Sequence, residues 1–385
     1  MSVCAQVSDT TAVQNKSHLR ISLLTCSLGE EVWETFGHSC IRIIDSTKSG
    51  RERDVVYNYG FLESSEDNTV MHQFLTSRVL VFLATNTYAE FNYQYGNEGR
   101  EVDEQVFLLD DTEKQAIVSF LKNNARKENR YYEYDAGYDN CSTRILGIFV
   151  KTFGNRFVPG QVIPKGSRLT YRDLTSRYGP QKIQGKYWFA LGMKIFFGIS
   201  SDRKPSNTEA MYLSEFLSDG MAGATLDGKK LCDNKATILE NKITWPETTD
   251  EPFIVFLIIA IITIVGFFVK RLRILSNVVS VLVLFSSGIL GCYLLYIGVM
   301  DCEPGWKNNF NILWALPTNL IIPFLGPRVK AKYAIVGMSF IGVSLILDVF
   351  RVQELPLLEI APLLLTLLFI FGQMYQKSTL KIKSS

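Results

Sequence analysis

Asp139-Asn140-Cys141-Ser142-Thr143-Arg144 is followed by Ile145, Leu146, Phe149 and Val150, an apolar i, i+1, i+4, i+5 stripe that runs out at Gly154. That spacing predicts a short helix with Cys141 in its first turn and Asn140 as its cap. A cysteine at that place lies at the positive end of the helix dipole, which favours thiolate over thiol. A nucleophilic thiolate needs a base. The chain has three histidines, His18, His38 and His72, and only His38 sits in a dense local pattern, Phe36-Gly37-His38-Ser39-Cys40-Ile41-Arg42-Ile43. This stretch reads as a strand, with Gly37 giving the ring room. Cysteine is also among the residues most often simply buried, so Asn-Cys-Ser alone is as readily structural as catalytic. The pairing of a capped cysteine with an upstream strand histidine is what favours chemistry.

The 385 residues are 47% hydrophobic with a net charge of +2, enough for a sizeable core and without the basic footprint of a nucleic-acid binder. The two ends differ. Up to residue 250 the chain is mixed and polar; from Pro252 to Gly372 it is dominated by apolar runs. Five spans are expected: Phe253 to Val269, Ile274 to Met300, Phe310 to Gly326 (broken by Pro317 and Pro323), Tyr333 to Val349 and Leu355 to Gly372. Nine basic residues flank one side of these spans (Lys270, Arg271, Arg273, Arg328, Lys330, Lys332, Lys377, Lys381, Lys383) against two on the other (Lys307, Arg351), which places the former side and the carboxy terminus in the cytoplasm. The amino-terminal 250 residues are then extracytoplasmic, in the periplasm of an inner-membrane protein. Val3 and Ala5 before Gln6 fit the end of a signal peptide, so residues 1–17 read as its remnant plus a flexible start, without Cys4 in the mature chain.

Seven cysteines in an oxidising compartment permit disulfides without forming a dense framework; Cys26 and Cys40 could pair, and the roles of Cys232 and Cys302 are open. No spacing points to a metal or cofactor. Strands are expected over His18 to Thr25, Val55 to Gly60, Arg78 to Thr85 and Val102 to Leu109, and helices over Asn68 to Thr76 (with His72), after Asp110-Asp111-Thr112, and over Thr208 to Leu217. Pairing the Val55 strand with the His38 strand puts Asn58 or Tyr57 near the imidazole. Tyr131, Tyr132, Tyr134 and Tyr138 read as packing or as a pocket wall. Tyr187 to Gly198 is too short to span a bilayer and too apolar for water, so it either packs under the catalytic domain or dips into the membrane face. Thr225 to Thr249 reads as a polar connection.

A strand histidine ahead of an Asn-Cys helix start resembles the circularly permuted, NlpC/P60-like papain fold. In that fold the histidine's orienting partner lies on the following strand, which implies Asn58, with Asp45 as second choice. More closely, the chain resembles the Bacteroidota lipoprotein N-acyltransferase family, Lnb. The resemblance rests on Leu24-Thr25-Cys26-Ser27, Phe36-Gly37-His38-Ser39, Val56-Tyr57-Asn58-Tyr59-Gly60, Glu98-Gly99-Arg100, Glu104-Gln105-Val106, Tyr138 to Arg144, Leu191-Gly192, Glu209-Ala210-Met211 and Asn309 to Trp314. It implies an α+β catalytic domain (18–155), an accessory extracytoplasmic segment (156–250) and an all-α bundle of about five transmembrane helices (251–385). It also implies transfer of a fatty acyl group from a phospholipid, through a Cys141 thioester, to the α-amine of a diacylated lipoprotein, with His38 as base and without a cofactor. The family pattern often has a histidine where this chain has Glu303 before Pro304, so no catalytic role is expected there. The rival readings are a membrane-anchored papain-like peptidase or cell-wall amidase with the same pair, and a non-enzymatic sensor or transport protein.

Overall fold

The computed structural model describes residues 17–62, 79–176, 187–244, 249–299 and 304–384. The expected signal-peptide remnant, the Asn68 to Thr76 helix with His72, Cys302 and Glu303 lie outside the described residues.

Among the described residues, six strands and three helices build the first part of the chain: β1 (Leu19–Cys26), β2 (His38–Asp45), β3 (Asp54–Leu62), β4 (Val79–Thr87), α1 (Tyr88–Glu98), β5 (Val102–Val106), α2 (Asp111–Asn124), β6 (Tyr131–Tyr134) and α3 (Cys141–Phe153). The period-2 pattern of β1 and β2 splits their side chains between two faces. Ile21, Leu23, Ile41, Ile43, Tyr57 and Tyr59 meet α2 and α3 on one face. Leu24, Cys26, Cys40 and Val56 meet Phe91 and Tyr95 of α1 on the other. Capping boxes start all three helices, from Thr87 with Glu90, Asp110 with Glu113, and Asn140 with Thr143.

The expected boundary at 155 does not separate two bodies. Beyond it come β7 (Phe157–Val158), α4 (Tyr171–Ser176), α5 (Tyr187–Phe196), α6 (Ser214–Ala222), β8 (Thr225–Leu226), β9 (Lys229–Lys230) and β10 (Ala236–Leu239). Phe157, Met211, Leu217, Met221, Leu226 and Leu231 enter the same core as α3. The stretch expected as a polar connection supplies an edge strand, giving an antiparallel seven-stranded sheet ordered β10-β5-β1-β2-β3-β4-β6. A second sheet, β7-β8-β9, follows α3. In place of one helix over Thr208 to Leu217 there is a 3₁₀ turn, Glu209–Tyr212, and then α6. Cys26, Cys40, Cys141, Cys232 and Cys292 are all free, so the Cys26–Cys40 pairing that the sequence allowed is not made.

Among the described residues, four helices are long and apolar enough to cross a membrane: α7 (Glu251–Phe268), α8 (Arg273–Val299), α9 (Pro327–Val349) and α10 (Leu357–Ser384). The span expected from Phe310 to Gly326 is not a continuous helix. It is a run of 3₁₀ turns, Phe310–Leu313, Pro317–Leu320 and Ile322–Phe324, because Pro317 and Pro323 remove helical donors. The run still connects the two ends of the bundle. Asn309 accepts from Gln353 at one end, and Lys330 donates to the Pro323 carbonyl at the other. The fifteen residues of the run, Phe310–Phe324, form an apolar stretch, and Trp314 and Ala315 pack in the bundle core with Leu284 and Ile341. Irregular backbone at that depth must be covered by protein. Gly288 and Gly291 of α8 allow it to come close: a Cβ at Gly291 would collide with the Ala315 carbonyl oxygen. Buried Asn319 bonds Ser287 and Tyr333, and buried Asn311 bonds Trp314 and the Ile195 carbonyl. Helix α5 packs on this bundle through Leu191 and Ile195, and Lys194 pairs with Glu359 at 2.6 Å.

Candidate active site

Three residues from three elements converge. Cys141 opens α3, and its placement begins with Asn140. The Asn140 Oδ1 accepts from the Thr143 amide, while its Nδ2 donates to the Ala136 and Tyr212 carbonyls at 2.8 and 3.0 Å. The helix start is also tied to β2 by Ser39 Oγ and Ser142 Oγ at 3.2 Å, and Ser142 in turn to Ser214 of α6 at 3.4 Å. Replacing Asn140 by alanine removes all of these amide bonds. Asn140→Ala is expected to cost about 1 to 2 kcal/mol in an unfolding titration and to slow alkylation of Cys141 as its helix start loosens.

His38 begins β2. Its Nε2 lies 2.7 Å from Asn58 Oδ1 on β3, the register partner of Cys40 two residues further along β2. With Oδ1 accepting, Nε2 donates, and Nδ1 is the nitrogen left for the thiol. Tyr57, the other candidate on that strand, points into the opposite face and is buried with the α3 core. Asp45, the second choice for this role, sits at the far end of β2, opposite Leu19, and bonds Thr47. Space for the imidazole comes from Gly60 rather than Gly37. A Cβ at Gly60 would stand 2.6 Å from His38 Cε1 and 3.1 Å from Asn58 Oδ1. Gly37 instead takes φ 72°, packed against the Cys26 carbonyl, to turn the chain into β2.

The electrostatics separate Cys141 from the buried thiols of Cys26 and Cys232, which burial pushes up. Burial pushes the Cys141 thiol up, but the His38 charge and hydrogen bond, with the Ser39 amide and Ser142, outweigh it and hold the thiol below its ordinary value. Burial pulls His38 down, and the neighbouring Cys141 and Cys40 sulfurs outweigh that and raise it well above the usual histidine range. The pair therefore favours thiolate and imidazolium. Cys26 shows the contrast: burial, then Cys40, push it well up, as for an inert core thiol.

A cavity of about 320 Å³ opens on the pair. Phe61, Leu62, Val79 and Val81 give it apolar wall, and Glu34, Gln94 and Arg100 give it polar wall. Arg100 is 3% exposed, donates to the Ser27 carbonyl at 2.7 Å and pairs with Glu34 and Glu98. The Glu98-Gly99-Arg100 motif thus ties α1 to the loop before β2. Sequence reasoning had no role for α1 or Gly60; the signals were the Thr87/Glu90 capping box and a glycine two residues after Asn58. Among the described residues no group of acidic, histidine or cysteine side chains has the geometry to hold a metal ion.

A family model described as the Lnb N-terminal periplasmic domain matches residues 7–177, and one described as the Lnb transmembrane domain matches residues 246–381. No curated protein and no solved structure matches the chain.

Proposed function

Because the chain belongs to the Lnb family, with a periplasmic amino-terminal domain and a membrane-spanning carboxy-terminal domain, we propose that it is a lipoprotein N-acyltransferase acting through a Cys141 thioester. The observation that carries this reading is the Cys141–His38–Asn58 arrangement at a capped helix start, facing a part-apolar cavity. The order of histidine strand before cysteine helix also supports a permuted papain-like domain.

In the first half-reaction the Cys141 sulfur attacks an acyl ester of a phospholipid, and the backbone N–H of Cys141, at a helix position without an intrahelical acceptor, stabilises the oxyanion. The ester C–O bond breaks, and the lysophospholipid leaves as an alcohol with the proton held on His38. In the second, the free α-amine of the lipoprotein's diacylglyceryl-cysteine attacks the thioester, His38 takes the amine proton, an amide forms and the thiolate returns. Asn58 keeps the ring in the tautomer and orientation that both steps need. Tyr59, Tyr95 and Tyr134 in the cavity wall limit water at the sulfur, favouring the amine as acceptor.

The test is transfer itself. The enzyme in vesicles of acyl-labelled phospholipid should add one labelled acyl group to a diacylated lipopeptide, in a hydroxylamine-resistant amide. Peptide-bond cleavage without any need for phospholipid would support the papain-like peptidase or amidase instead.

The basic residues at one end of the bundle support a cytoplasmic carboxy terminus. Phe267, Lys330, Lys377 and Lys381 gather around one cavity at the end of the bundle opposite Gln353 and Asn309. A reporter fused after Ser385 is expected to read as cytoplasmic, and one inserted at Gly228, in the β8–β9 turn, as periplasmic; the same side for both contradicts the topology.

A further inference from the structure

A separate cavity, of about 630 Å³, opens at the basic end of the membrane domain. Helices α8 and α10 face each other across it, with Lys330 of α9 at its side. The catalytic domain joins the other end of the bundle, where Asn309 donates to the Ile195 carbonyl and accepts from Gln353. The cavity therefore takes no part in the steps at Cys141.

Its lining changes character along the helices. On α8, Ser276, Asn277 and Ser280 line the part nearest the helix start, and Val281 and Leu284 the part further in. On α10, Lys377, Ser378 and Lys381 are outermost, and Phe369 and Ile370 innermost. From Phe369 to Lys381 this wall is about 18 Å long at 1.5 Å per residue. A space of that length, apolar inside and basic at the mouth, has the polarity of an amphiphile. A free phosphate would fill only the mouth.

The charge at the mouth has no counterpart in the chain. No aspartate or glutamate lines the cavity, and the sequence has none at 252–300, 304–347 or 360–385. Lys330 is half-buried and gives one of its three ammonium donors to the Pro323 carbonyl at 2.8 Å, which leaves two. Lys377 stands 5.0 Å from the centre of the Phe267 ring. Cations held against apolar walls repel one another, and an anion between them relieves this. A bilayer leaflet offers that anion as a phospholipid headgroup, together with the chain that the inner walls would cover, and basic pockets between membrane helices suit such headgroups.

We propose that this cavity binds an anionic phospholipid, with Lys330 and Lys377 holding its phosphate and one acyl chain lying along Leu284, Phe369 and Ile370. The lipid is held there and not consumed. The site is independent of the acyl-transfer reading, because none of its residues belongs to the catalytic domain.

The full-length protein is reconstituted in phosphatidylcholine vesicles holding a small fraction of a photoprobe, a lipid with a diazirine midway along one acyl chain, as either phosphatidylglycerol or phosphatidylcholine. After irradiation, the phosphatidylglycerol probe is expected to label the α10 peptide containing Phe369 and Ile370 roughly tenfold more than the phosphatidylcholine probe. Lys330→Gln combined with Lys377→Gln should bring the first down to the level of the second. Inorganic phosphate, added at matched ionic strength, should leave the labelling in place. Equal labelling by the two probes, or phosphatidylglycerol labelling unchanged in the double variant, overturns the site, and loss of label to inorganic phosphate overturns the lipid as its occupant. The contrast between probes is read on unaltered protein, so it decides even if the double variant folds poorly. Label mapped to this peptide is read apart from any acyl group on Cys141, so the two proposals fail separately.

Discussion

Cys141→Ala is expected to lower N-acylation of a diacylated lipopeptide by roughly 10⁴-fold or more, the scale on which removal of a covalent nucleophile acts. The fold should survive. Cys141 is 9% exposed and sits at a helix start whose cap belongs to Asn140, so its removal leaves the Thr143, Ala136 and Tyr212 bonds in place. Unchanged protein levels and an unfolding midpoint close to wild type are the controls. Full activity in this variant would remove the nucleophile altogether. Cys40 also neighbours His38, but it is fully buried under α1 and does not line the cavity, so it offers no substitute.

The second large effect is at a residue with no chemistry of its own. Gly60→Ala puts a methyl group 2.6 Å from His38 Cε1 and 3.1 Å from His38 Nε2 and Asn58 Oδ1. Those atoms cannot all stay, so the ring moves by several tenths of an ångström or breaks from Asn58. Misplacement on that scale costs roughly 10²-fold in rate when the group must take and return a proton. The loss should appear in the rate of thioester formation, with the protein still folded. Wild-type rates in Gly60→Ala would mean that the imidazole works from another position.

Reactivity with pH follows from the paired shifts. The thiolate of Cys141 exists above its lowered pKa, and the imidazolium of His38 exists below its raised one. Alkylation of Cys141 by iodoacetamide should therefore persist to pH values below the usual thiol range, and fall only as pH drops through the lowered cysteine pKa. Above the raised histidine pKa the thiolate remains but the leaving alcohol loses its proton source, so acyl transfer should decline while alkylation does not. In His38→Ala the alkylation inflection should move up, since burial then acts without its counterweight.

What could be read in the chain was what local pattern encodes. β1, β2 and β3 alternate because each has a face to bury, and the Asn140 cap with the Ile145, Leu146 and Phe149 stripe marks α3 within a few residues. Cys141, His38 and Asn58 could be named because each lies in such a pattern, and antiparallel neighbours bring β2 and β3 together. Other parts depend on distant partners. β6 (Tyr131–Tyr134) and β10 (Ala236–Leu239) are four residues each, strands only because β4 and β5 offer edges. α1 carries four aromatic residues among its eleven, a composition that favours strands, and it forms a helix because Phe91 and Tyr95 cover Cys26, Cys40 and Val56. Gly37 and Gly60 flank the same histidine, and only the register of β2 on β3, with the irregularity between Asn58 and Phe61, decides which one the ring touches. The cavity at the basic end of the bundle joins Asn277, Lys330 and Lys377, which no sequence spacing connects.

The central claim is that Cys141 carries a lipid-derived acyl group between two substrates. The intact mass of the purified enzyme, after incubation with phospholipid of defined chains and no lipoprotein, tests it most directly. The expected result is one added acyl mass, mapped to the Cys141 peptide, lost to hydroxylamine, and discharged onto a diacylated lipopeptide when that is supplied. An unmodified mass in the presence of phospholipid, with peptide substrates cleaved under the same conditions, would contradict it.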